Sequence, residues 1–401
     1  MNIRPFSAVR PVPEMAAAVA AVPYDVVDTA EARALAEGNP ASFLHVSRPE
    51  IDMPDGTECS SPEAYAQAKK ALDALRNGGT MTQDASPLFY AYRQVMGDHA
   101  QTGIVATFDT KDYLAGTLKQ HEKTRKDKED DRTRHIETLK AHTGPAFLTY
   151  RDVPAIDALV AEACKGEALY DFTAPDGIRH TVWTLPQESN DALAAAFAGI
   201  PAAYIADGHH RSAAASRYAA AHNFEGESRW FLAVAFPASQ LNILPYNRLV
   251  ADLNGLSAEG LLEKARAVFT VTDAADGKPT GSRHARMFLA GHWHDLAWDV
   301  PENADAVSSL DVSVLQDRLL APVLGIDDPR TSPRISFMGG IRGLDELKGR
   351  VEDGRAAVAF SMHPVSVDEM MAIADAGAVM PPKSTWFEPK LRSGLFVHVV
   401  D

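Results

Sequence analysis

The amino-acid sequence predicts an α+β protein with more than one lobe. Helical and extended patterns are mixed along the chain without a strict strand–helix–strand rhythm. At 401 residues the chain is longer than one small core organises. Around Asp252 to Ser257 the pattern turns to small polar residues and glycine, a soft boundary that divides the chain into an N-terminal lobe, residues 1–252, and a C-terminal α+β lobe, residues 253–401.

Read in order, the opening from Ile3 to Val27 is proline-rich and extended around turns. Ser61-Pro62 starts a helix, with Ser as cap and Pro in the first turn; apolar residues recur through Leu72 and Leu75, and Gly78-Gly79 end it. Leu88 to Val95 and Gly103 to Phe108 form a hairpin around a Gly-Asp turn. His121 to Lys140, the most charged stretch, reads as a helix with many exposed positions. Strands are expected at 145–150, 180–185, 202–206 and 230–236, and helices at 154–165, 190–198, 212–221 and 258–268. A hairpin at 285–300, a helix at 312–324, a strand at 335–338, a helix at 367–375 and a closing strand at 395–400 complete the pattern.

Charge and composition exclude several function classes. The formal charge is 39 − 54 = −15, which argues against a broad nucleic-acid footprint, since that needs a basic face. No run approaches the length of a membrane span and no signal peptide is evident, so a cytoplasmic protein with no membrane partner is expected. Cys59 and Cys164 make neither a disulfide framework nor a zinc cage.

The most informative segment is Asp207-Gly208-His209-His210-Arg211, wedged between an apolar strand and an alanine-rich helix that opens at Ser212. Helix-start amides point outward and favour an anion. Gly208 permits close backbone approach, and His209, His210 and Arg211 add donors, Arg with a two-pronged grip on phosphate. The amides from Gly208 to Ser212 are the expected phosphate cradle. Asp207 fits a metal ligand, an orienter of a neighbouring His, or a proton acceptor. The same five residues also make an ordinary polar turn at a helix start.

A second candidate is His121-Glu122-Lys123-Thr124, where Glu122 suits a general base for a hydroxyl nucleophile and Lys123 or His121 can steady phosphate charge; the competing reading is a salt-bridged surface helix. Asp131, Arg132 and Arg134 pose the same choice. Lys383-Ser384-Thr385 lacks the glycines of a P-loop, leaving Lys383, Lys390 and Arg392 as anion contacts on a proline-stiffened loop. His292-Trp293-His294 has a metal-ligand spacing without an obvious third ligand.

Taken together, the opening RPFSAVRPVPE and VAAVPYDVV, the HEKT segment, the ADGHHR turn and the closing MPPKSTWFEPKL resemble the domain-of-unknown-function family numbered 1015 across nearly the whole chain. The turn is similar to the signature loop of the ParB/sulfiredoxin-like superfamily, and within it the functional resemblance is to free-serine kinases. That resemblance implies a ParB/sulfiredoxin-like core with large N-terminal and C-terminal additions. It further implies ATP or ADP as phosphate donor, Mg²⁺, and a small amino-acid substrate, L-serine. It gives phosphate handling to Asp207, His209, His210 and Arg211, a metal contact to Asp207, and the base role to Glu122. A homodimer is compatible with the sequence. A non-catalytic nucleotide-binding regulator of ParB-like fold is the alternative function. A sulfiredoxin-like reaction is disfavoured, because His209 stands where that chemistry uses a Cys.

Overall fold

The computed structural model describes residues 1–301 and 304–401. Two compact units appear: Met1–Leu241 together with Pro389–Asp401, and Asn242–Glu388. This differs from the division expected at 252/253. The polar stretch at 252–257 is a turn inside the second unit, where Asp252 pairs with Arg334 and the Ala251 amide donates to the Arg334 carbonyl. The last 13 residues belong to the first unit because Val397 bridges to Val9, and His398–Val399 pair with Ala141–His142.

The first unit is built on a nine-stranded mixed sheet. Its strands run in the order Leu118–Lys119, Ala203–Asp207, Ala146–Tyr150, Trp230–Pro237, His99–Asp109, Tyr90–Met96, Arg179–Thr184 and Tyr170–Thr173, with Ile3–Arg4 added beside His99–Asp109. The predicted hairpin is present, Tyr90 opposite Val105 and Met96 opposite His99. Two pairings are parallel: Ala203–Tyr204 beside Leu118–Lys119, and Trp230–Pro237 beside Ala146–Tyr150. One sheet face packs Ile104, Phe108, Leu148, Ile205 and Phe231 against Ile156, Leu193 and Phe197 of the helices Pro154–Ala163 and Asn190–Ala198.

The helix Pro62–Asn77 forms as its local signals dictate, with the Ser61 hydroxyl accepting from the Ala64 amide. A helix the sequence reading passed over, Thr29–Ala36, carries a complete capping box from Asp28 and Glu31. The charged segment differs from expectation in its start. His121 to Arg125 is loop, and the helix is Lys126–Leu139. That helix lies against the helix His209–Ala221. Arg217 pairs across with Glu129 and Asp130, and Ile136 packs with Ala214 and Tyr218. The buried alanines Ala213, Ala214, Ala215 and Ala219 keep His209–Ala221 slim enough to sit among its neighbours.

The second unit is a six-stranded antiparallel sheet, ordered Thr270–Ala274, His292–Ala297, His284–Leu289, Val358–Met362, Tyr246–Val250 and Ile335–Gly339. Leu249, Phe288 and Ala359 meet Leu347 of the helix Gly343–Glu352 in its core. The expected helix at 312–324 is a short α-helix, Asp311–Leu315, that widens into a π-helical turn, Gln316–Leu320. Across the described residues, no helix is long and apolar enough to cross a membrane.

Among the described residues the first unit buries six histidines, and three of them, His135, His142 and His180, are each pushed down to about 3 by loss of solvent. In the unfolded chain such rings titrate near about 6.5, so between those limits the unfolded state binds protons that the native state does not. Their depressed values contribute stability that is complete above about pH 6.5 and is lost on acidification, by up to about 1.4 kcal/mol per pH unit for each ring. Thermal unfolding followed from about pH 7 to about pH 4 should therefore show a steadily falling midpoint; a level profile would contradict this burial.

Candidate functional site

The strand Ala203–Asp207 is buried through Ala206 and ends in a register shift: Ile205 faces Leu148, yet Asp207 faces Phe147, so Ala206 is an extra residue. A bulge of this kind re-aims the following side chain. Gly208 then adopts φ +90°, a left-handed conformation natural to glycine, and the helix His209–Ala221 begins at once. The helix starts three residues before the expected Ser212, because Gly208 itself serves as its N-cap.

This geometry narrows the expected amide cradle. The Gly208 amide donates to Oδ1 of Asp207 at 2.8 Å, and the Ser212 amide donates to the Gly208 carbonyl at 2.9 Å. The amides of His209, His210 and Arg211 are those of the first helical turn, which have no acceptor within the helix.

The three cationic-capable side chains diverge. His209 is buried, and its Nε2 has no hydrogen-bond partner. Its ring meets that of His121 edge-on, centroids 4.5 Å apart. His210 turns the other way and accepts the Arg125 amide on Nε2 at 3.0 Å, pinning the loop that carries the HEKT residues. Arg211 folds back beneath Gly208, bonds the Pro145 carbonyl through Nη1, and lines a cavity with Tyr24 and Arg132.

His121 and Glu122 reach the turn for a topological reason. Leu118–Lys119 runs parallel to Ala203–Tyr204, so the chain leaves both strands on the same side. The helix pair Lys126–Leu139 and His209–Ala221 then holds the two segments together. His121 also makes a hydrogen bond to the Ile205 backbone. Ligating atoms of His121, Glu122 and His209 all lie within 4.8 Å of one another, the group of three metal-capable side chains found among the described residues. Loss of solvent pushes His121 down to about 4 and His209 well below its ordinary value, so both rings are neutral near pH 7.

Asp207 has a different setting from the one expected of a metal ligand. Its carboxylate faces the Lys390 ammonium at 3.3 Å and the Arg211 guanidinium at 3.6 Å, besides the Gly208 amide. Burial opposes its ionisation, but Lys390 and Arg211 outweigh that and hold the carboxyl well below the usual carboxylate range. A metal ion here would have to share the carboxylate with two fixed cations. Lys390 is the contact the sequence left vague, named there only as one anion contact of three. Arg392 lies apart from it, bonded to Asp176 and His180.

Lys123 is exposed beside Glu122. Lys383 belongs to the second unit, its ammonium 5.4 Å from the Tyr246 ring centroid. Asp131 is buried and pairs with the half-buried Arg132, and Asp131 also accepts from the Tyr65 hydroxyl. His294 is 3.6 Å from Asp273 across the second sheet, and the His292-Trp293-His294 triplet gathers no third ligand among the described residues. Both cysteines are free.

The family model described as a protein of unknown function, DUF1015, matches residues 3–313. The chain belongs to that family. No curated protein matches it. Solved structures similar to it include a conserved hypothetical protein from Pyrococcus furiosus, 13% identical, covering 74% of this chain and 95% of that one, with a TM-score of 0.39. A free serine kinase in complex with AMP is 11% identical, covering 73% and 91%, TM-score 0.39. SbnI with a C-terminal truncation, from Staphylococcus aureus, is 12% identical, covering 74% and 87%, TM-score 0.41.

Gly208 offers a direct test of the turn. A Cβ added there would lie 3.0 Å from the Arg211 guanidinium, on a backbone that side chains rarely adopt. Gly208→Ala should cost about 1–2 kcal/mol and lower the melting midpoint by several degrees; an unchanged midpoint would show the turn to be less constrained than this.

Proposed function

We propose that the protein is a small-molecule kinase that uses ATP or ADP to phosphorylate the hydroxyl of free L-serine, giving O-phosphoserine. The observation that carries the reading is the meeting of His121 and Glu122 with His209 across 87 residues of sequence, their ligating atoms within 4.8 Å. A surface helix bearing scattered charges would not bring a carboxylate to the mouth of a helix N-terminus.

In this proposal the donor's phosphates rest on the amides of His209, His210 and Arg211, with exposed Lys123 adding charge beside Glu122. Glu122 accepts the proton of the serine hydroxyl. The hydroxyl oxygen then bonds to the terminal phosphorus of the nucleotide as the bridging P–O bond breaks, and the bonding pair leaves with ADP from ATP, or AMP from ADP. Asp207, Lys390 and Arg211 form a fixed charge cluster under the turn that keeps Gly208 and the helix start in place. Phosphoryl transfer asks mainly for positioning and charge neutralisation, which these groups supply.

The resemblance implies Mg²⁺, which prefers oxygen ligands. His121, Glu122 and His209 offer two imidazoles and one carboxylate, a set better matched to zinc or iron(II). No step is therefore assigned to a protein-held Mg²⁺; it enters with the nucleotide, on the phosphate oxygens, as part of the substrate. Lys383 takes no part in the proposal.

Purified protein supplied with L-serine, MgATP or MgADP should form phosphoserine. Glu122→Gln should lower kcat by about 10²–10⁴ with nucleotide affinity retained, as loss of a general base does. Arg211→Ala keeps the helix amides but removes a cation from beside the buried Asp207 carboxylate, so it should destabilise the fold by about 3–5 kcal/mol, read as a lower melting midpoint. Nucleotide binding without turnover in the wild-type protein would instead support a non-catalytic, nucleotide-binding regulator.

A further inference from the structure

The first unit holds a cavity of about 40 Å³ bordered by Arg211 and lined also by Tyr24, Ser47, Arg132, His142 and Gly144 among others. Three buried polar atoms on its wall have no hydrogen-bond partner: Ser47 Oγ, His142 Nε2 and Arg211 Nε. Ser47 and His142 are each only 6% exposed. Unpartnered buried donors and acceptors are uncommon and costly, about 1–3 kcal/mol each, so three around one cavity point to a polar occupant.

The wall is rich in cationic donors. The Arg132 guanidinium stacks 4.1 Å from the Tyr24 ring centroid and gives its Nε and one Nη to a single Asp131 oxygen, leaving further N–H groups. Arg211 is balanced by Asp207 and feels Asp25, but its Nε meets neither. His142 uses its other nitrogen on the Trp230 backbone, so in the neutral ring Nε2 is an acceptor. Size narrows the choice: at roughly 10–15 Å³ for each water-sized site, the cavity takes about three heavy atoms. That is the size of a carboxylate group and too small for a nucleobase.

We propose that this cavity seats the carboxylate of the phosphoryl acceptor, held by Arg132, Arg211 and Ser47, with His142 Nε2 placed to accept from the acceptor's ammonium. This rests on the kinase reading for the acceptor's identity, but the seat itself is defined by binding. Arg211 then touches both the nucleotide turn and the acceptor seat, and so fixes their separation.

The test is calorimetric titration of the full chain with L-serine, L-alanine, ethanolamine and inorganic phosphate. L-Alanine keeps the carboxylate and lacks the hydroxyl; ethanolamine has the reverse. L-Serine and L-alanine should bind within about tenfold of each other, and ethanolamine about 100-fold more weakly, as expected when charge-assisted bonds to Arg are lost. Arg132→Gln and the milder Ser47→Ala should each weaken L-serine by about tenfold or more and leave nucleotide affinity unchanged. Ser47→Ala removes one oxygen, so its melting midpoint shows whether weakened binding is separate from misfolding.

The assignment is overturned if neither amino acid binds, if ethanolamine binds as tightly as L-serine, or if both variants retain full affinity. Inorganic phosphate displacing L-alanine and binding more tightly would reassign the seat to a phosphate group, against the carboxylate. None of these readings needs turnover. Serine binding that is lost in Arg132→Gln, with no phosphoserine formed, would remove the kinase reading and leave the seat. Phosphoserine formed with unchanged KM in Arg132→Gln and Ser47→Ala would remove the seat and leave the kinase.

Discussion

Everything in the candidate site depends on one short parallel pairing, Leu118–Lys119 beside Ala203–Tyr204. Two strands leaving a sheet in the same direction deliver whatever follows them to the same edge. Here one delivers His121 and Glu122, and the other delivers Asp207 and the helix start. The pairing is only two residues long, too little to be stable by itself. The helix contact between Lys126–Leu139 and His209–Ala221 supplies the rest, through Ile136, Ala214 and Tyr218 and the Arg217 ion pairs. The exposed pairs contribute little energy, so the apolar contact carries most of the weight.

Electrostatics then divides the site into two regimes. Around Asp207, two cations and an amide meet one carboxylate, and the charge is satisfied and fixed. Around His209 and His121, burial keeps the rings neutral, which leaves lone pairs and N–H groups in place of charge. A neutral, dry pair of imidazoles beside a carboxylate is a setting that favours proton or metal traffic. The salt-bridged cluster beneath it is a setting that favours rigidity.

How much of this could be read from the sequence varies with how local the cause was. The helix Val367–Asp375 starts and stops where expected because the Ser366–Glu369 capping box and its apolar spacing are local, and Asn190–Ala198 does so on its alanine-rich spacing and the Gly199 that ends it. The start of Lys126–Leu139 was not readable: Arg125 precedes it without a side-chain cap, and the charges of His121 to Arg125 look the same in a loop as in a helix. The DGHHR turn and HEKT were both legible as polar groups set against apolar segments. Their meeting was not, nor was the Lys390 contact to Asp207, 183 residues away, nor the gathering of Tyr24 and Arg132 around Arg211. Those contacts follow from topology, which hydrophobic periodicity does not encode. The closing stretch, expected as a strand over 395–400, forms a ladder only at His398–Val399 and a single bridge from Val397 to Val9, because its partners Val9 and Ala141–His142 lie on two different segments.

Lys390 also carries a consequence for the order in which the molecule is made. It belongs to the first unit but is reached only after residues 242–388 have been laid down as a separate unit. A chain emerging from the ribosome builds the turn early and must wait for Lys390 to neutralise Asp207 and for Val397 to bridge Val9. Folding of the first unit is thus tied to synthesis through Lys390 and Val397, so products released before that point would lack an assembled site rather than display a weakened one.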